Sequence, residues 1–197
     1  MGEACEVLLV RHALPAPDGT KDPALGDIGR SQAEQVGEYL ATQGISAIYS
    51  SQLKRAVETA APLAHRLGYE IVIDERLQEW KSNATHYVGV ENLTDVDRAR
   101  SFREGRFEEG FLPEHNHDEL RANMFEVVRD IGLAHQGERI VAVSHGGASN
   151  NFLAGVLESP RRFFFNPGYT SISRVQVWPD NRFVLMSINE TAHLDQA

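Results

Sequence analysis

The chain has 197 residues, of which 42% are hydrophobic and 24% charged, a composition that excludes a disordered chain or a fibre and fits one globular domain over 1–197. Its net charge of −9 argues against nucleic acid or an anionic membrane as a partner, so any bound anion needs a local basic pocket. No apolar stretch approaches the roughly 20 residues that span a bilayer, and acidic residues stand where a secretory signal needs positive charge, which favours a cytoplasmic location.

In the first half of the chain, short apolar runs alternate with helical patterns. Three runs rich in apolar and β-branched residues predict buried strands, at 6–10, 45–50 and 70–74. Two stretches with apolar residues at helical spacing predict helices, at 31–44 and 52–68. Ser31 would cap the first helix, and Pro62 would kink the second.

The second half continues the alternation and ends in a hairpin pattern. Helices at 118–137 and 149–158 flank a strand at 139–145, and two alternating runs, 171–178 and 182–188, are joined by a three-residue turn. This order predicts a three-layer α/β/α sandwich with a mostly parallel sheet and an antiparallel edge. The polar and aromatic stretch 81–117 has no clear period, and we expect it to form a cap-like excursion over one end of the sheet.

Chemically active side chains follow the ends of four predicted strands. Ligands of such sheets bind beyond the carboxyl ends of the strands, where side chains from distant parts of the sequence meet. The candidates at these ends are two arginines, two histidines and one carboxylate, namely Arg11, His12, Arg55, Glu79 and His145.

These five side chains have the chemistry for phosphoryl transfer without a metal. Guanidinium groups match phosphate oxygens, and backbone N–H groups at helix N-termini add to them. Neutral imidazole is a nucleophile, and a carboxylic acid can protonate a leaving alkoxide. Each residue alone is more often structural, and Ser51 and Ser144 fit simple helix caps, so the prediction rests on the conjunction.

Four motifs in this order, LLVRHA, YSSQLKRAVETA, LQEW and VAVSHGG, resemble those of the histidine phosphatase superfamily, the phosphoglycerate-mutase-like proteins. The resemblance covers most of the chain apart from 81–117 and implies a phosphoglycerate-mutase-like fold with no cofactor and no metal. It implies that His12 takes the phosphoryl group and that Glu79 donates the proton. The phosphate-binding residues that it implies are Arg11, Arg55, His145 and Gly146.

Two stretches depart from the family pattern. The loop after His12 has Ala13 where glycine is commoner and lacks the asparagine that many mutases offer to the phosphate. After Glu79 the chain lacks the Tyr-Gly-x-Leu-x-Gly pattern of mutases, and Glu75 is a nearby competitor for the role of acid. These departures favour a phosphatase that acts on a small phosphomonoester or a phosphorylated protein. The alternatives are a phosphoglycerate-type mutase and a non-catalytic phosphate-binding module.

Three other features have mainly structural interpretations. The motif HNHD at 115–118 offers two imidazoles to a metal, but a polar turn with Asp118 as helix cap is favoured. The aromatic stretch 161–171 is predicted to pack on the sheet, with a pocket entrance or a homodimer face as alternatives. The stretch 188–194 resembles the ending of several phosphatases of the family; its His193 is placed near the site but outside the catalytic set.

Overall fold

A computed structural model describes residues 2–79, 96–110 and 116–194 of the chain, and their strands form one six-stranded sheet. The strands in chain order are β1 (Cys5–Arg11), β2 (Ala47–Ser50), β3 (Ile71–Ile73), β4 (Arg139–Ser144), β5 (Ile172–Val177) and β6 (Phe183–Glu190). The helices are α1 (Asp27–Ala41), α2 (Lys54–Leu67), α3 (Val96–Arg103), α4 (Phe107–Gly110), α5 (His117–Ala134) and α6 (Gly146–Val156), with 3-10 turns at Glu75–Leu77 and Ala192–Leu194.

The sheet has the order β3-β2-β4-β1-β5-β6. The first four strands run parallel, and β5 and β6 run antiparallel to their neighbours at one side. The predicted mostly parallel sheet with an antiparallel edge is therefore confirmed.

Both faces of the sheet are covered, because the side chains of β1 alternate between two buried clusters. Val7 and Leu9 pack with apolar residues of α5 and α6, whereas Leu8 and Val10 pack with α1 and α2. All four side chains are at most 1% exposed, and burying each contributes about 1.5–3 kcal/mol relative to an exposed position. The fold is thus the three-layer sandwich that the sequence predicts.

Strand register brings the candidate residues to one edge. In the parallel pair β1 and β4, Arg11 lies opposite Ser144, and in the pair β2 and β4, Ser50 lies opposite Val143. The backbone N–H of Asp74, just after β3, donates to Ser50 at 3.0 Å. All four parallel strands therefore end at the same level.

The starts of α1, α5 and α6 differ from the sequence-based expectation, and α6 begins at Gly146 rather than at the predicted residue 149. Helix α1 begins at Asp27, four residues before Ser31, because its first turn packs on the loop after His12. There a Cβ at Gly29 would lie 2.0 Å from the Leu14 carbonyl oxygen, so a glycine is required. Helix α5 is capped by Asn116, whose side chain accepts the Glu119 N–H, so the expected cap at Asp118 is wrong.

Helix α2 runs without interruption from Lys54 to Leu67, through Pro62. Part of the stretch predicted as an excursion forms α3 and α4, whereas 80–95 and 111–115 lie outside the described residues, so its placement over the site stays a prediction. Among the helices that the structure describes, none has the length and apolar character to cross a membrane.

Candidate active site

His12 and His145 lie side by side at the carboxyl edge of the sheet, with ring centroids 5.0 Å apart. Each follows the last residue of a central strand, and the His12 N–H donates to the Ser144 carbonyl at 2.9 Å. Both side chains are almost completely buried. The parallel pairing of β1 and β4 therefore joins two histidines that are 133 positions apart in the sequence.

The hydrogen bonds of His12 fix its tautomer. Its Nδ1 lies 2.8 Å from the Ala13 carbonyl oxygen, which can only accept, so the proton lies on Nδ1. The Nε2 lone pair is then the acceptor for the Nε–H of Arg55, at 3.3 Å. Burial, followed by the charges of Arg55 and Arg11, lowers the pKa of His12 well below its ordinary 6.5. The ring is consequently neutral near pH 7 and presents a nucleophilic Nε2.

His145 is oriented by Ser51, whose Oγ lies 2.8 Å from the ring Nε2. The other ring nitrogen, Nδ1, is buried and has no hydrogen-bond partner within the described part of the chain, so it can serve a bound oxyanion. Burial, then the charge of Arg55, lowers the pKa of this ring well below 6.5 as well. The expectation that Ser51 caps a helix is wrong, because its hydroxyl binds His145 instead.

Ser144 is not a cap either. Its Oγ donates to the Leu77 carbonyl at 2.7 Å. This contact ties the end of β4 to the 3-10 turn that precedes Glu79. The serine thereby helps to place the carboxylate candidate at the first turn of α6.

Glu79 reaches the first turn of α6, where its Oε2 accepts the Gly147 N–H at 2.9 Å. Its Oε1 is buried, and no group in 2–79, 96–110 or 116–194 forms a hydrogen bond with it. Burial raises the pKa of Glu79 above its ordinary 4.5, against the lowering effect of the Gly147 N–H and of Arg55. A carboxyl group in this state can carry a proton on Oε1 and donate it. The competitor Glu75 is exposed on the 3-10 turn.

Arg55 lies in the first turn of α2, where only 3% of the residue is exposed. Its Nη1 is 3.4 Å from Asp22 Oδ1, and the same carboxylate accepts the Lys54 N–H at 3.1 Å. Asp22 therefore caps α2 and holds Arg55 at once. Its role has no sequence signal, because nothing in the loop 13–24 indicates which residue would meet Arg55.

Arg11 is held from two sides. Its Nη1 donates to the Pro167 carbonyl at 2.5 Å, and its Cζ lies 3.9 Å from the ring centroid of Tyr169. The buried Nε has no hydrogen-bond partner among the residues that the structure describes. Gly146 lies against it, since a Cβ there would be 3.3 Å from that Nε. The structure thus places Gly146 beside Arg11, and its part in phosphate binding stays a prediction.

Two residues that the sequence analysis did not assign to the site also border it. Thr59 accepts the Ala13 N–H at 2.9 Å and donates to the Arg55 carbonyl at 2.6 Å, which fixes the loop after His12 to α2. The Tyr169 ring lies 5.8 Å from the His12 ring. For this residue of the stretch 161–171 the pocket interpretation is correct, whereas Phe163 is buried in contact with His117.

Two other histidines that the structure describes, His193 and His117, contact residues outside the five candidate side chains. His193 Nε2 is 3.1 Å from Thr170 Oγ1, one residue beyond Tyr169. His117 of the HNHD motif packs edge-to-face on Phe163, and 115 lies outside the described residues. Within the described parts of the chain, no three His, Cys, Asp or Glu residues are grouped as a metal site.

Comparisons with known proteins show the family to which the chain belongs. The profile of the histidine phosphatase superfamily (branch 1) matches residues 7–191, so the chain belongs to this superfamily. It is 31% identical to the probable phosphoglycerate mutase GpmB of Yersinia enterocolitica, over 96% of this chain and 95% of that protein.

Solved structures give the same picture of the fold. The chain resembles the phosphoserine phosphatase of Entamoeba histolytica in complex with 3-phosphoglyceric acid, with a TM-score of 0.74 and 25% identity over 96% of this chain and 99% of that one. It also resembles YhfR of Bacillus stearothermophilus, with a TM-score of 0.78 and 23% identity over 97% of this chain and all of that one. The phosphoglycerate-mutase-like fold is therefore confirmed.

Proposed function

We propose that this member of the histidine phosphatase superfamily hydrolyses phosphomonoesters through a phosphohistidine on His12. The observation that carries the proposal is the tautomer of His12. Its Nδ1–H is tied to the Ala13 carbonyl, so the lone pair of Nε2 faces Arg55 in the basic pocket. A structural histidine needs no such combination of a fixed tautomer and a neighbouring guanidinium.

The first chemical step transfers the phosphoryl group. The Nε2 lone pair of His12 attacks phosphorus, and the bond from phosphorus to the ester oxygen breaks. The leaving oxygen takes a proton from Oε1 of Glu79, while Arg11, Arg55 and the Nδ1 side of His145 hold the non-bridging oxygens. The products are the free alcohol, N-phosphohistidine and an ionised Glu79.

The second step returns the site to its starting state. A water molecule attacks phosphorus and gives a proton to the Glu79 carboxylate, and the bond between phosphorus and Nε2 breaks. Inorganic phosphate leaves, and His12 regains its lone pair. The same carboxyl group therefore acts first as acid and then as base, as microscopic reversibility allows.

Positive charge for this chemistry comes from the chain itself. Arg11 and Arg55 are both at the pocket, and guanidinium forks stabilise the charge that develops on phosphoryl oxygens. We therefore expect turnover of p-nitrophenyl phosphate to be unchanged by EDTA. A non-catalytic phosphate-binding module would release no nitrophenol in the same assay.

A phosphoglycerate-type mutase is the second candidate, and the name of the Yersinia relative favours it. A mutase must keep the phosphohistidine from water while the intermediate reorients. This chain lacks the asparagine after His12 and the Tyr-Gly-x-Leu-x-Gly stretch after Glu79, and the Entamoeba neighbour carries the name of a phosphatase. These differences favour hydrolysis.

The deciding experiment offers 3-phosphoglycerate without a bisphosphoglycerate primer and follows the products by phosphorus NMR. We expect inorganic phosphate and little of the 2-isomer. Formation of the 2-isomer much faster than free phosphate would establish the mutase instead. His12→Ala is the matched control, and it should form neither product.

A further inference from the structure

A short loop, residues 167–170, clamps the phosphate-pocket arginine. Pro167 accepts from the guanidinium of Arg11 at 2.5 Å, and the Tyr169 ring lies beneath that guanidinium. The backbone continues the contact, since Thr170 N–H donates to the Arg11 carbonyl at 3.1 Å. We call residues 167–170 the clamp loop. Its Tyr169 ring also lies 5.8 Å from the ring of His12.

The clamp loop has a conformation that its own residues do not favour. Thr170 has φ +57°, in the left-handed region that a β-branched residue rarely adopts. Such a residue persists only where its surroundings impose the conformation, and outliers of this kind are frequent at functional sites. The contacts that impose it come from a separate part of the chain.

Those contacts come from residues 189–193, the last two residues of β6 and the turn after it. Asn189, itself at φ +55°, accepts the Gly168 N–H through Oδ1 at 2.7 Å. At the other end, Thr170 Oγ1 donates to the Tyr169 carbonyl at 2.7 Å, so His193 Nε2–H must be the donor in the 3.1 Å contact with that hydroxyl. His193 is 4% exposed and stacks on Tyr39.

We propose that His193 is a positioning residue for the phosphate pocket, which acts through Thr170 to hold Tyr169 against Arg11 and His12. It does not touch the reacting atoms. Its hydrogen bond keeps Thr170 in the left-handed conformation, and this conformation aims the Tyr169 ring and the Pro167 carbonyl at the guanidinium. The inference rests on the proposed function only in that Arg11 binds the phosphoryl group.

The test measures oxyanion affinity and needs no turnover. Isothermal titration calorimetry with metavanadate, and separately with inorganic phosphate, compares wild type with His193→Leu, which removes the donor. We expect the dissociation constant of His193→Leu to rise about tenfold. His193→Gln places an amide N–H near the position of Nε2 and should stay within about threefold of wild type.

Thr170 supplies a second and independent pair of variants. Thr170→Val keeps the β-branched shape but removes the hydroxyl, and it should weaken vanadate binding as His193→Leu does, whereas Thr170→Ser should retain affinity. In the double variant the two losses should not add, because both break one contact. If His193→Leu does not fold, this pair of variants still tests the proposal.

The matched control is His135→Ala. It removes a hydrogen bond of similar length, the 2.9 Å contact between His135 and the Tyr49 hydroxyl. His135 follows the last residue of α5 and precedes β4, so it lies at the edge of the sheet opposite the candidate site. We expect its melting temperature to fall and its vanadate affinity to stay unchanged. A purely structural His193 would behave in the same way, with a lower melting temperature and an unchanged dissociation constant, and that result would overturn the inference. Failure of wild type to bind either oxyanion would overturn the proposed function and this inference together.

Discussion

The Nε of Arg55 lies 3.3 Å from Nε2 of His12, so a buried guanidinium donates to the lone pair assigned to the attack on phosphorus. In the free protein this contact holds the imidazole in one orientation. A phosphoryl group that enters the pocket competes for the same guanidinium, because an oxyanion is a stronger acceptor than a neutral ring nitrogen. Substrate binding would thus release the nucleophile as it engages Arg55.

Asp22 should affect activity through Arg55. We expect Asp22→Asn to lower kcat/KM about tenfold, since Arg55 loses its ion-pair partner and α2 a charged cap. Arg55→Lys should cost more, about 100-fold or greater, because a charged fork aimed at the transition state is lost. Asp18→Asn is the matched control: it makes the same charge change in the same loop, at a side chain whose hydrogen-bond partner among the described residues is Thr20. Equal effects of Asp18 and Asp22 would contradict the assignment.

Replacement of the proposed acid should affect substrates according to their leaving groups. Glu79→Gln should lower kcat/KM, which reports on the first phosphoryl transfer, by roughly 100-fold or more for glycerol 2-phosphate, within the range of general acid catalysis. The kcat/KM for p-nitrophenyl phosphate should fall much less, because nitrophenolate leaves without a proton. The comparison is a steady-state assay of both substrates with both proteins. Glu75→Gln, on the exposed turn nearby, should change neither rate. Equal losses for the aryl and alkyl esters would exclude Glu79 as the acid.

The activity should have an acidic optimum for alkyl esters. His12 stays neutral below pH 6.5 because burial lowers its pKa, so acid does not remove the nucleophile in that range. Glu79 must be protonated, and burial raises its pKa above 4.5, so kcat/KM should fall as the pH rises through that raised pKa. A profile of kcat/KM for glycerol 2-phosphate from pH 4.5 to 8.5 tests this. In Glu79→Gln the fall of kcat/KM with rising pH should disappear. If the fall persists unchanged, it arises from the substrate or from another group of the protein.

The two buried histidines should make the fold acid-sensitive. Both rings stay neutral in the native state well below pH 6.5, whereas the unfolded chain takes up the protons. Stability is therefore fully present above pH 6.5 and declines below it, by about 1.4 kcal/mol per pH unit for each ring. Urea unfolding at pH 7.0, 6.0 and 5.0 should give a shallower decline for His12→Gln than for wild type. His65→Gln, at an exposed position, should follow wild type; identical slopes for both variants would refute the linkage.

The sequence predicts the sheet and the five principal side chains because both depend on local patterns. Apolar runs define the strands, and His12 and His145 are the residues that come directly after the ends of two of these strands. Contacts made by polar residues across long separations carry no such signal. Ser51 has the pattern of a cap and instead binds a ring 94 positions away, and Asp22 reaches α2 from a loop whose path depends on tertiary packing.

Helix starts show the same limit. The first turn of α1 contains Gly29 and has Ile28, 65% exposed, as its only apolar side chain, so its periodicity is weak. The close approach of Gly29 to Leu14 explains why a helix begins there. The left-handed Thr170 is equally hidden, since a β-branched residue predicts the opposite conformation. The conformation of Thr170 depends instead on its contacts to residues far along the chain.

The most direct test of the account is a rapid-quench experiment with a ³²P-labelled phosphomonoester. Wild type should show protein-bound label within one turnover, labile in acid and stable in base as phosphohistidine is, and peptide mapping should place it on His12. His12→Ala should carry no label, whereas Glu79→Gln with p-nitrophenyl phosphate should accumulate it, because the water that attacks the phosphoenzyme has lost its base. Label that survives in His12→Ala, or turnover of wild type without any acid-labile label, would contradict the phosphohistidine mechanism.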